Sequence, residues 1–413
     1  MSLRQSTRRV LRRVFLGTLL VQICAVASLM LTTKVRKVLR GRNIPPLEPS
    51  PSVPHRIQDG SVATTYTYGA ELFDDMLAAI AAADRRILLE TYIIKGDEVG
   101  QRFKAALIDA ADRGVDVYVI YDQFANLVVK PSFLAFPAPI TVLRYPLFSS
   151  WKFISPRHLG RDHRKILVVD DDIAYVGGYN IGSAYATEWR DTHLKIMGPA
   201  VWDLDNAFVD FWNAHPKRKS PRLAQLPHAG WRPEIRAHRN VPRQLMYPIR
   251  GMYLEAIDRA HLSIDITAAY FIPDRDILGA ILDARRRGVV VRIIVPRISN
   301  HVVTDWLSRG FYGELLRAGV EIHRYNDHMV HAKTATIDGE WTTIGTANID
   351  RLSLLGNYEI NLEILDPGLA KGMQEIFEAD REKCDRLTLD EWMRRPLVAR
   401  AYEWLLRPLR PLL

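Results

Sequence analysis

A short polar pattern occurs twice in this chain and constrains its fold more than any other feature. Each copy reads histidine, any residue, lysine, four uncharged residues and aspartate, and the copies span His163–Asp170 and His331–Asp338. A glycine turn that ends in asparagine follows each copy at the same interval. A carboxylate then stands 28 residues after each histidine. Five polar positions repeated in register indicate two copies of one structural unit.

The residues between lysine and aspartate predict a strand in each copy. They are uncharged and rich in β-branched side chains, as expected for a buried strand. A strand places the histidine and lysine on one face because they are two residues apart. The aspartate lies seven residues from the histidine and would point to the opposite face. We therefore predict that Asp170 and Asp338 stabilise the fold, for example through an ion pair, and do not take part in the chemistry.

The order of predicted elements is also repeated. The first half has a helical pattern from about residue 62, then a strand at 87–94, a helix at 99–112 and a strand at 115–121. The second half has a helix at 252–260, a strand at 261–271, a helix at 277–287 and a strand at 289–295. Such alternation predicts an α/β fold in which mixed sheets are flanked by helices. We predict two tandem lobes, residues 62–215 and 244–413, that form a pseudo-two-fold dimer within one chain.

The N-terminal segment has a different character. Residues 14–33 are uncharged and mainly apolar, about the length that spans a bilayer core, and basic residues flank them. Residues 1–43 are therefore predicted to be a membrane anchor. A cleaved export signal is the main alternative, because Arg12 and Arg13 precede the apolar run and Ala25-Val26-Ala27 resembles a cleavage site. A mitochondrial presequence and a buried helix are less favoured. Two proline-rich segments, 44–61 and 216–243, are predicted to be a linker and a connector between the lobes.

The net charge of +9 originates in the anchor segment. Residues 1–43 hold ten Lys and Arg and no acid, so the rest of the chain has 46 basic and 47 acidic residues, a net charge of −1. This placement argues against a nucleic-acid partner and favours an anionic membrane surface. The two cysteines, Cys24 and Cys384, are far apart and belong to no cluster with metal-ligand spacing. We therefore predict no disulfide, no metal site and no other cofactor.

The doubled motif suits phosphoryl transfer through a covalent histidine. One histidine can attack phosphorus, while the second protonates the departing alkoxide. Each ring needs a carboxylate on its other nitrogen, and Asp191 and Glu359 are the candidates for that role. Cations and amides must also neutralise and hold the phosphate oxygens. The candidate phosphate-binding residues are Lys165, Asn180, Lys333 and Asn348.

The doubled motif with its trailing asparagines resembles the phospholipase D superfamily, and most of all the bacterial cardiolipin synthases within it. The resemblance covers about residues 60–413 and includes Glu90-Thr91-Tyr92-Ile93 and Asn357-Tyr358-Glu359. It implies a metal-free, ping-pong mechanism through a phosphohistidine. His163 is the implied nucleophile and His331 the implied acid and base, although the two motifs are chemically near-equivalent. As members of the family motif, Asp170 and Asp338 stay among the catalytic candidates.

The resemblance also implies a function. It is that of a phosphatidyltransferase that joins two phosphatidylglycerol molecules into cardiolipin and releases glycerol. Hydrolysis to phosphatidic acid is the alternative, since it differs only in using water in place of the second lipid as acceptor. A nuclease or phosphodiesterase with the same doubled (HKD) motif is less favoured. The expected partners are a phospholipid membrane and phosphatidylglycerol or a related lipid, with no nucleic acid and no required oligomer. The expected location is the bacterial inner membrane. The amphipathic tail from Glu391 fits either an interfacial helix or a helix packed on the second lobe.

Overall fold

The computed structural model describes residues 16–17, 21–32, 35, 45–48, 52–147, 160–216, 220–227 and 234–412. The strands are β1 (Pro54–Arg56), β2 (Val62–Tyr66), β3 (Arg86–Thr91), β4 (Asp116–Asp122), β5 (Thr141–Tyr145), β6 (Ile166–Val169), β7 (Ile173–Gly177), β8 (Trp189–Arg190), β9 (His193–Met197), β10 (Ile235–Arg239), β11 (Ser263–Ala268), β12 (Val290–Pro296), β13 (Glu321–Tyr325), β14 (Met329–Val330), β15 (Lys333–Ile337), β16 (Trp341–Gly345), β17 (Ile360–Leu365) and β18 (Cys384–Leu387). The helices are α1 (21–32), α2 (Gly69–Ala81), α3 (Glu98–Asp112), α4 (Ser183–Thr187), α5 (Val201–Ala214), α6 (Pro248–Arg259), α7 (Arg275–Arg286), α8 (Val302–Arg317), α9 (Arg351–Leu355), α10 (Pro367–Glu382), α11 (Leu389–Met393) and α12 (Leu397–Leu406).

Two eight-stranded sheets form the body of the protein, one in each lobe. The first runs β1-β2-β9-β7-β6-β3-β4-β5 and the second runs β10-β17-β16-β15-β11-β12-β13-β18. Without the edge strands β1 and β18, the remaining strands match one to one from β2 and β10 to β5 and β13. In each sheet three strands pair in parallel, β3-β4-β5 and β11-β12-β13, and the others pair antiparallel. The predicted α/β class, with two repeats of a mixed sheet flanked by helices, is confirmed.

The matching helices α3 and α7 show why the sequence repeats its local structure. Each begins after an aspartate whose carboxylate accepts a hydrogen bond from the first turn, Asp97 from Gly100 N and Asp274 from Ile277 N. Each is followed by a glycine with positive φ, +94° at Gly114 and +93° at Gly288. Such a backbone strains residues that carry a Cβ, so glycine ends the helix and starts the next strand.

The structure differs from the sequence analysis at the edges of the sheets. Residues 62–66, expected to begin a helix, form strand β2, and the helix starts at Gly69. Strand β1 lies within the predicted linker 44–61, and β10 lies within the predicted connector 216–243. These three strands are short and partly polar, and two of them, β1 and β10, form sheet edges. They lack the continuous apolar run by which buried strands are recognised.

The two lobes share a hydrophobic core. One continuous cluster contains Phe208 and Trp212 of α5 in the first lobe together with Ile344, Leu362 and Met373 of the second. A buried ion pair also crosses between the lobes. Arg190 donates from Nη2 and Nε to the two carboxylate oxygens of Asp380, at 2.7 and 3.0 Å. The repeats are therefore packed against each other over an apolar surface that contains a specific charge pair.

We expect Asp380→Ala to lower the free energy of unfolding by about 3–5 kcal/mol, because it leaves the buried Arg190 guanidinium without its carboxylate. The double variant Arg190→Met/Asp380→Leu is expected to lose less, since no unpaired charge stays buried. Chemical denaturation measures both effects. The control is Asp390→Ala, whose exposed pair with Arg394 should contribute under about 1 kcal/mol. Equal losses for Asp380→Ala and Asp390→Ala would contradict the prediction.

Helix α1 packs against the second lobe. Ala25 and Leu29 are buried, and Gln22 Nε2 donates a hydrogen bond to Leu405 O at 3.2 Å. Among the residues with described positions, no helix combines the length and apolar character needed to cross a bilayer. The structure therefore does not show the predicted membrane helix at 14–33. Residues 14, 15, 18–20 and 33 of that segment lie outside the described ranges.

Candidate active site

The two repeated histidines meet in one cleft between the lobes. The cleft has a volume of 230 Å³, and His163, His331, Asn180 and Asn348 all line it. The histidines precede β6 and β15, which occupy matching positions in the two sheets. The two motifs therefore reach the cleft from opposite lobes.

Main-chain hydrogen bonds between the lobes fix the position of both histidines. His163 N donates to Tyr358 O at 3.0 Å, and His331 N donates to Arg190 O at 2.7 Å. These contacts belong to the parallel pair β8–β14 and to its counterpart, the bridge between Asp162 and Tyr358. The accepting residues, Tyr358 and Arg190, immediately precede Glu359 and Asp191. Each histidine is thereby held beside the carboxylate of the opposite lobe.

The histidine–carboxylate pairs are crossed between the lobes. His163 Nδ1 lies 3.0 Å from Glu359 Oε2, and His331 Nδ1 lies 2.6 Å from Asp191 Oδ2. The structure thus brings both predicted carboxylates to the ring nitrogens, but neither contacts the histidine of its own repeat. With Nδ1 engaged, Nε2 is the nitrogen of each ring that is available to a ligand in the cleft.

The two carboxylates differ in charge although both are fully buried. Burial raises the pKa of Glu359 to about 8 against the opposing effect of Lys165. Burial also acts on Asp191, but Lys333 and His331 outweigh it and hold its pKa below the usual value. At neutral pH Asp191 is therefore an anion, whereas Glu359 is mostly protonated. An anionic neighbour stabilises an imidazolium, so His331 is better suited than His163 to carry a proton.

Two buried lysines give the cleft its positive charge. Lys165 Nζ donates to His163 O at 2.7 Å, and Lys333 Nζ lies 3.0 Å from His331 Nδ1. Burial lowers the pKa of Lys165 to about 7 and that of Lys333 to about 8. Burial and these lysines also lower the pKa of both histidines, so the rings are neutral at pH 7. At pH 7 Lys333 is mostly protonated and Lys165 about half protonated, and this positive charge beside two neutral imidazoles favours an anionic ligand that a histidine can attack.

The two asparagines occupy matching positions on either side of the cleft. Asn180 Oδ1 accepts a hydrogen bond from Ile93 N at 3.2 Å, so its amide NH₂ carries the donors that a ligand can use. Asn348 is buried, and its Oδ1 has no hydrogen-bond partner among the described residues. Both side chains line the cleft, where an amide NH₂ group can donate hydrogen bonds to an anion.

The motif aspartates do not reach the cleft. Asp170 accepts hydrogen bonds from the backbone N of residues 84, 85 and 86 at 2.8, 2.7 and 2.9 Å. Asp338 accepts equivalent bonds from residues 261, 262 and 263 at 3.0, 2.8 and 2.8 Å. Each aspartate thus joins the end of the motif strand to the start of β3 or β11. This agrees with the prediction that the two aspartates have a structural role, although their main partners are backbone amides. Neither aspartate is placed where it could contact a ligand in the cleft.

Aromatic residues that the sequence analysis left unassigned enclose the histidines. The Tyr92 ring centroid is 4.6 Å from that of His163, and the Trp189 centroid is 5.0 Å from that of His331. Tyr185 also lines the cleft from the first lobe. The residues at the positions of Tyr185 and Trp189 in the second repeat are Ser353 and Asn357, which line the cleft as well. The wall is therefore more aromatic on the first lobe and more polar on the second.

A buried charge cluster beside His163 also escaped the sequence analysis. Arg164 Nη2 donates to Glu90 Oε1 at 2.6 Å, and Arg164 Nε lies 3.6 Å from Asp162 Oδ1. All three residues are buried. Their counterparts in the second repeat are Thr267, Val330 and Ala332, none of which carries a charge. Arg164, the charged residue between the histidine and the lysine of the first motif, was the sequence feature that could have indicated this cluster.

Comparisons with known proteins agree with this geometry. The family model described as "Cardiolipin synthase, PLD-like domain" matches residues 76–212 and 253–381, once in each lobe. The chain is 33% identical over 373 residues to the major cardiolipin synthase ClsA of Bacillus subtilis, covering 86% of this chain and 76% of that protein. It is 34% identical over 367 residues to the cardiolipin synthase of Geobacillus sp., covering 84% and 71%.

Among solved structures, the phosphatidylserine synthase of Haemophilus influenzae has the same fold. The two superpose with a TM-score of 0.67 at 16% sequence identity, over 88% of this chain and 95% of that one. The family match, the similarity to two bacterial synthases and the doubled motif lead to one assignment. This chain belongs to the cardiolipin synthase family of the phospholipase D superfamily.

Proposed function

We propose that this protein is a phosphatidyltransferase that makes cardiolipin from two phosphatidylglycerol molecules and releases glycerol through a phosphohistidine intermediate. The observation that carries the proposal is the pair of crossed histidine–carboxylate contacts in a single cleft. It supplies two oriented imidazoles for one phosphorus atom. The similarity to proteins named as cardiolipin synthases supports the choice of substrate.

In the first step, Nε2 of His163 attacks the phosphorus of one phosphatidylglycerol. A phosphorus–nitrogen bond forms as the bond to the glycerol oxygen breaks, and protonated His331 gives its proton to that oxygen. The negative charge of the bound phosphodiester and of Asp191 both favour the imidazolium form of His331. Lys165 and Lys333 stabilise the negative charge on the non-bridging oxygens.

In the second step, a hydroxyl group of another phosphatidylglycerol attacks the phosphohistidine. His331, now neutral, accepts the hydroxyl proton while the new phosphorus–oxygen bond forms. The phosphorus–nitrogen bond breaks, cardiolipin leaves, and His163 returns to its initial state. Glycerol is the only other product, so atoms and charge balance over the two steps.

The product analysis tests this proposal directly. Purified protein is incubated with labelled phosphatidylglycerol and a chelator, and the lipids and glycerol are separated. We expect cardiolipin and glycerol in equal amounts. His163→Ala should form neither product, and His238→Ala is its matched control, because His238 also contacts a carboxylate, Glu363 at 2.7 Å, but does not line the cleft. Phosphatidic acid as the sole product would show that water is the acceptor and would contradict the transferase assignment.

We expect kcat/KM to fall as the pH rises from 7 to 9, mainly through a higher KM. Lys165 and Lys333, with pKa values of about 7 and 8, lose their protons over this range and so attract the phosphodiester less strongly. In Lys165→Arg the first positive charge persists at every pH tested, so its KM should rise less steeply. Initial rates from pH 6 to 9 measure both profiles. Identical pH dependence of KM in the two proteins would contradict this account of phosphate binding.

The proposed location is the bacterial inner membrane, with residues 1–43 providing the anchor. Ten basic residues and the apolar run 14–33 support this part of the proposal. Removing residues 1–20 shortens the apolar run but keeps α1, which contacts the second lobe. We expect the truncated protein to bind the membrane fraction more weakly and to retain activity on detergent-dispersed lipid. N-terminal sequencing of the purified full-length protein distinguishes an uncleaved anchor from a cleaved signal.

A further inference from the structure

A second cavity, larger than the catalytic cleft, lies in the second lobe. Its volume is 890 Å³, within the range of roughly 300–1,000 Å³ that small-molecule sites occupy. Helices α1, α8 and α12 contribute to its walls through Leu29, Trp306 and Tyr402. The three helices also share a small hydrophobic cluster centred on Leu29, Leu307 and Leu406. The proposed reaction assigns no role to this cavity.

The cavity is lined by more positive than negative charge. Arg297, Arg309 and Arg324 line it, whereas Asp305 is its only lining carboxylate among the described residues. Each arginine also contacts a carboxylate, but an arginine has five N–H donors and one carboxylate cannot occupy them all. In Arg324, Nε is buried and has no hydrogen-bond partner within the described part of the chain. The accessible N–H groups of the three arginines, rather than this buried Nε, are the donors that an anion with several oxygen acceptors would engage.

Most of the remaining lining is aromatic or aliphatic, and Ser28, Thr32 and Ser299 add hydroxyl groups, a mixture that suits a lipid with a polar headgroup better than a soluble anion. Trp306, Trp392 and Tyr402 contribute rings, and Leu29 and Val398 contribute aliphatic groups. Both α1 and α12 also carry apolar side chains that water reaches. Leu397, Val398 and Trp404 of α12 are 77%, 66% and 74% exposed, and Met30 and Leu31 of α1 are 57% and 64% exposed. Exposed apolar side chains on helices with arginines nearby are typical of a surface that meets an anionic bilayer.

The first turn of α8 separates this cavity from the catalytic cleft. His301 and Thr304 line the cleft, whereas Val302 and Asp305, on the other side of the same turn, line the cavity. One helical turn therefore separates the cavity from the cleft.

We propose that this cavity binds one anionic phospholipid, with its phosphate against Arg297, Arg309 and Arg324 and its acyl chains between α1 and α12. The proposal rests on the lipid-transferring function proposed above. The lipid enters from a bilayer that contacts the exposed apolar side chains of α12. Helix α12 thus has both roles that the sequence left open, because one face packs on the second lobe and another meets the membrane.

Photo-crosslinking in the full-length protein tests the site. The probe is phosphatidylglycerol with a diazirine in one acyl chain, presented in phosphatidylcholine nanodiscs, and the modified residues are mapped by mass spectrometry. We expect adducts on Trp306 and Tyr402. The double variant Arg297→Gln/Arg324→Gln should lower their yield about tenfold, because charge-assisted hydrogen bonds to the phosphate are lost. Arg386→Gln is the matched control, since this exposed arginine pairs with Glu321 outside the cavity.

A second variant tests the cavity without removing charge. Ala399→Trp fills part of the space, and it should lower the same adducts while thermal denaturation shows that the protein stays folded. Excess unlabelled phosphatidylglycerol should compete with the probe, and inorganic phosphate at the same concentration should not. Adducts confined to Leu397 and Trp404, adducts unaffected by the arginine variant, or competition by phosphate alone would each overturn the proposal. Cardiolipin synthesis is assayed on the same samples, so loss of that activity with intact cross-linking would count against the proposed function and not against this site.

Discussion

Replacing His163 with alanine is expected to abolish the covalent phosphoenzyme and to lower turnover by about 10⁴-fold or more, as loss of a nucleophile does in other enzymes that use covalent intermediates. The remaining histidine, His331, is held by Asp191 as a proton carrier. If it attacked phosphorus itself, no second histidine would protonate the departing alcohol. Phosphatidylglycerol labelled at phosphorus reveals the intermediate when the reaction is quenched under alkaline conditions, where phosphohistidine survives.

A substrate with a good leaving group separates the roles of the two histidines. A p-nitrophenyl phosphodiester needs no proton on the departing oxygen. With this substrate labelled at phosphorus, the His331→Ala protein should still form the labelled phosphohistidine. It should then release the label slowly, because no base activates the acceptor. His163→Ala should remain unlabelled with the same substrate. Label that persists in His163→Ala and disappears in His331→Ala would reverse the assignment, because the nucleophile would then be His331.

The second large effect is expected from Asp191→Asn, at about 10³–10⁴-fold in kcat. The carboxylate orients His331 and stabilises its charged form, and an amide in its place favours the wrong tautomer, as in the serine protease triad. The same substitution on the other pair, Glu359→Gln, should cost only about tenfold. Glu359 is mostly protonated at neutral pH, since burial raises its pKa to about 8, so the neutral amide is a closer substitute.

Steady-state kinetics at pH 7 with detergent-dispersed phosphatidylglycerol measures the contrast between the two variants. KM should change little in either, because neither carboxylate is expected to bind the lipid. His238→Ala again controls for loss of a histidine–carboxylate contact outside the cleft. Equal losses of kcat in Asp191→Asn and Glu359→Gln would contradict the difference in charge between the two carboxylates.

Local sequence patterns were sufficient for the repeats and for much of their internal structure. Gly114 and Gly288 follow helices α3 and α7 with positive φ, a conformation that glycine tolerates because it has no Cβ. The position of Asp170 and Asp338 was predicted from strand alternation, but the structure reaches it in another way. Each histidine precedes its strand, and each aspartate follows that strand with a positive φ, +53° and +54°. The helix ends thus depend on residues close together in sequence, whereas the aspartates are held by amides about 75 to 86 residues away.

The crossing of the carboxylates was not predictable in the same way. Asp191 and Glu359 stand at the same distance from their own histidines, so spacing does not reveal which ring each contacts. The answer depends on how the lobes pack, through contacts such as the one between His163 N and Tyr358 O that join residues far apart in the chain. Likewise, the protonation of Glu359 arises from burial, which a sequence without coordinates does not provide.

The unequal walls of the cleft make its two ends chemically different. If Tyr185 and Trp189 faced identical residues, a substrate could bind in two equivalent orientations and each histidine would meet the leaving alcohol half of the time. Ser353 and Asn357 stand at those positions in the other repeat and present hydrogen-bonding groups where the first presents rings. The two walls lie beside different histidines: Trp189 packs against His331, whereas Asn357 accepts a hydrogen bond from Arg161 N, two residues before His163. Exact repeats would make this cleft palindromic, and the divergence at these positions makes it polarised, so that the two ends of a bound substrate would meet different surroundings.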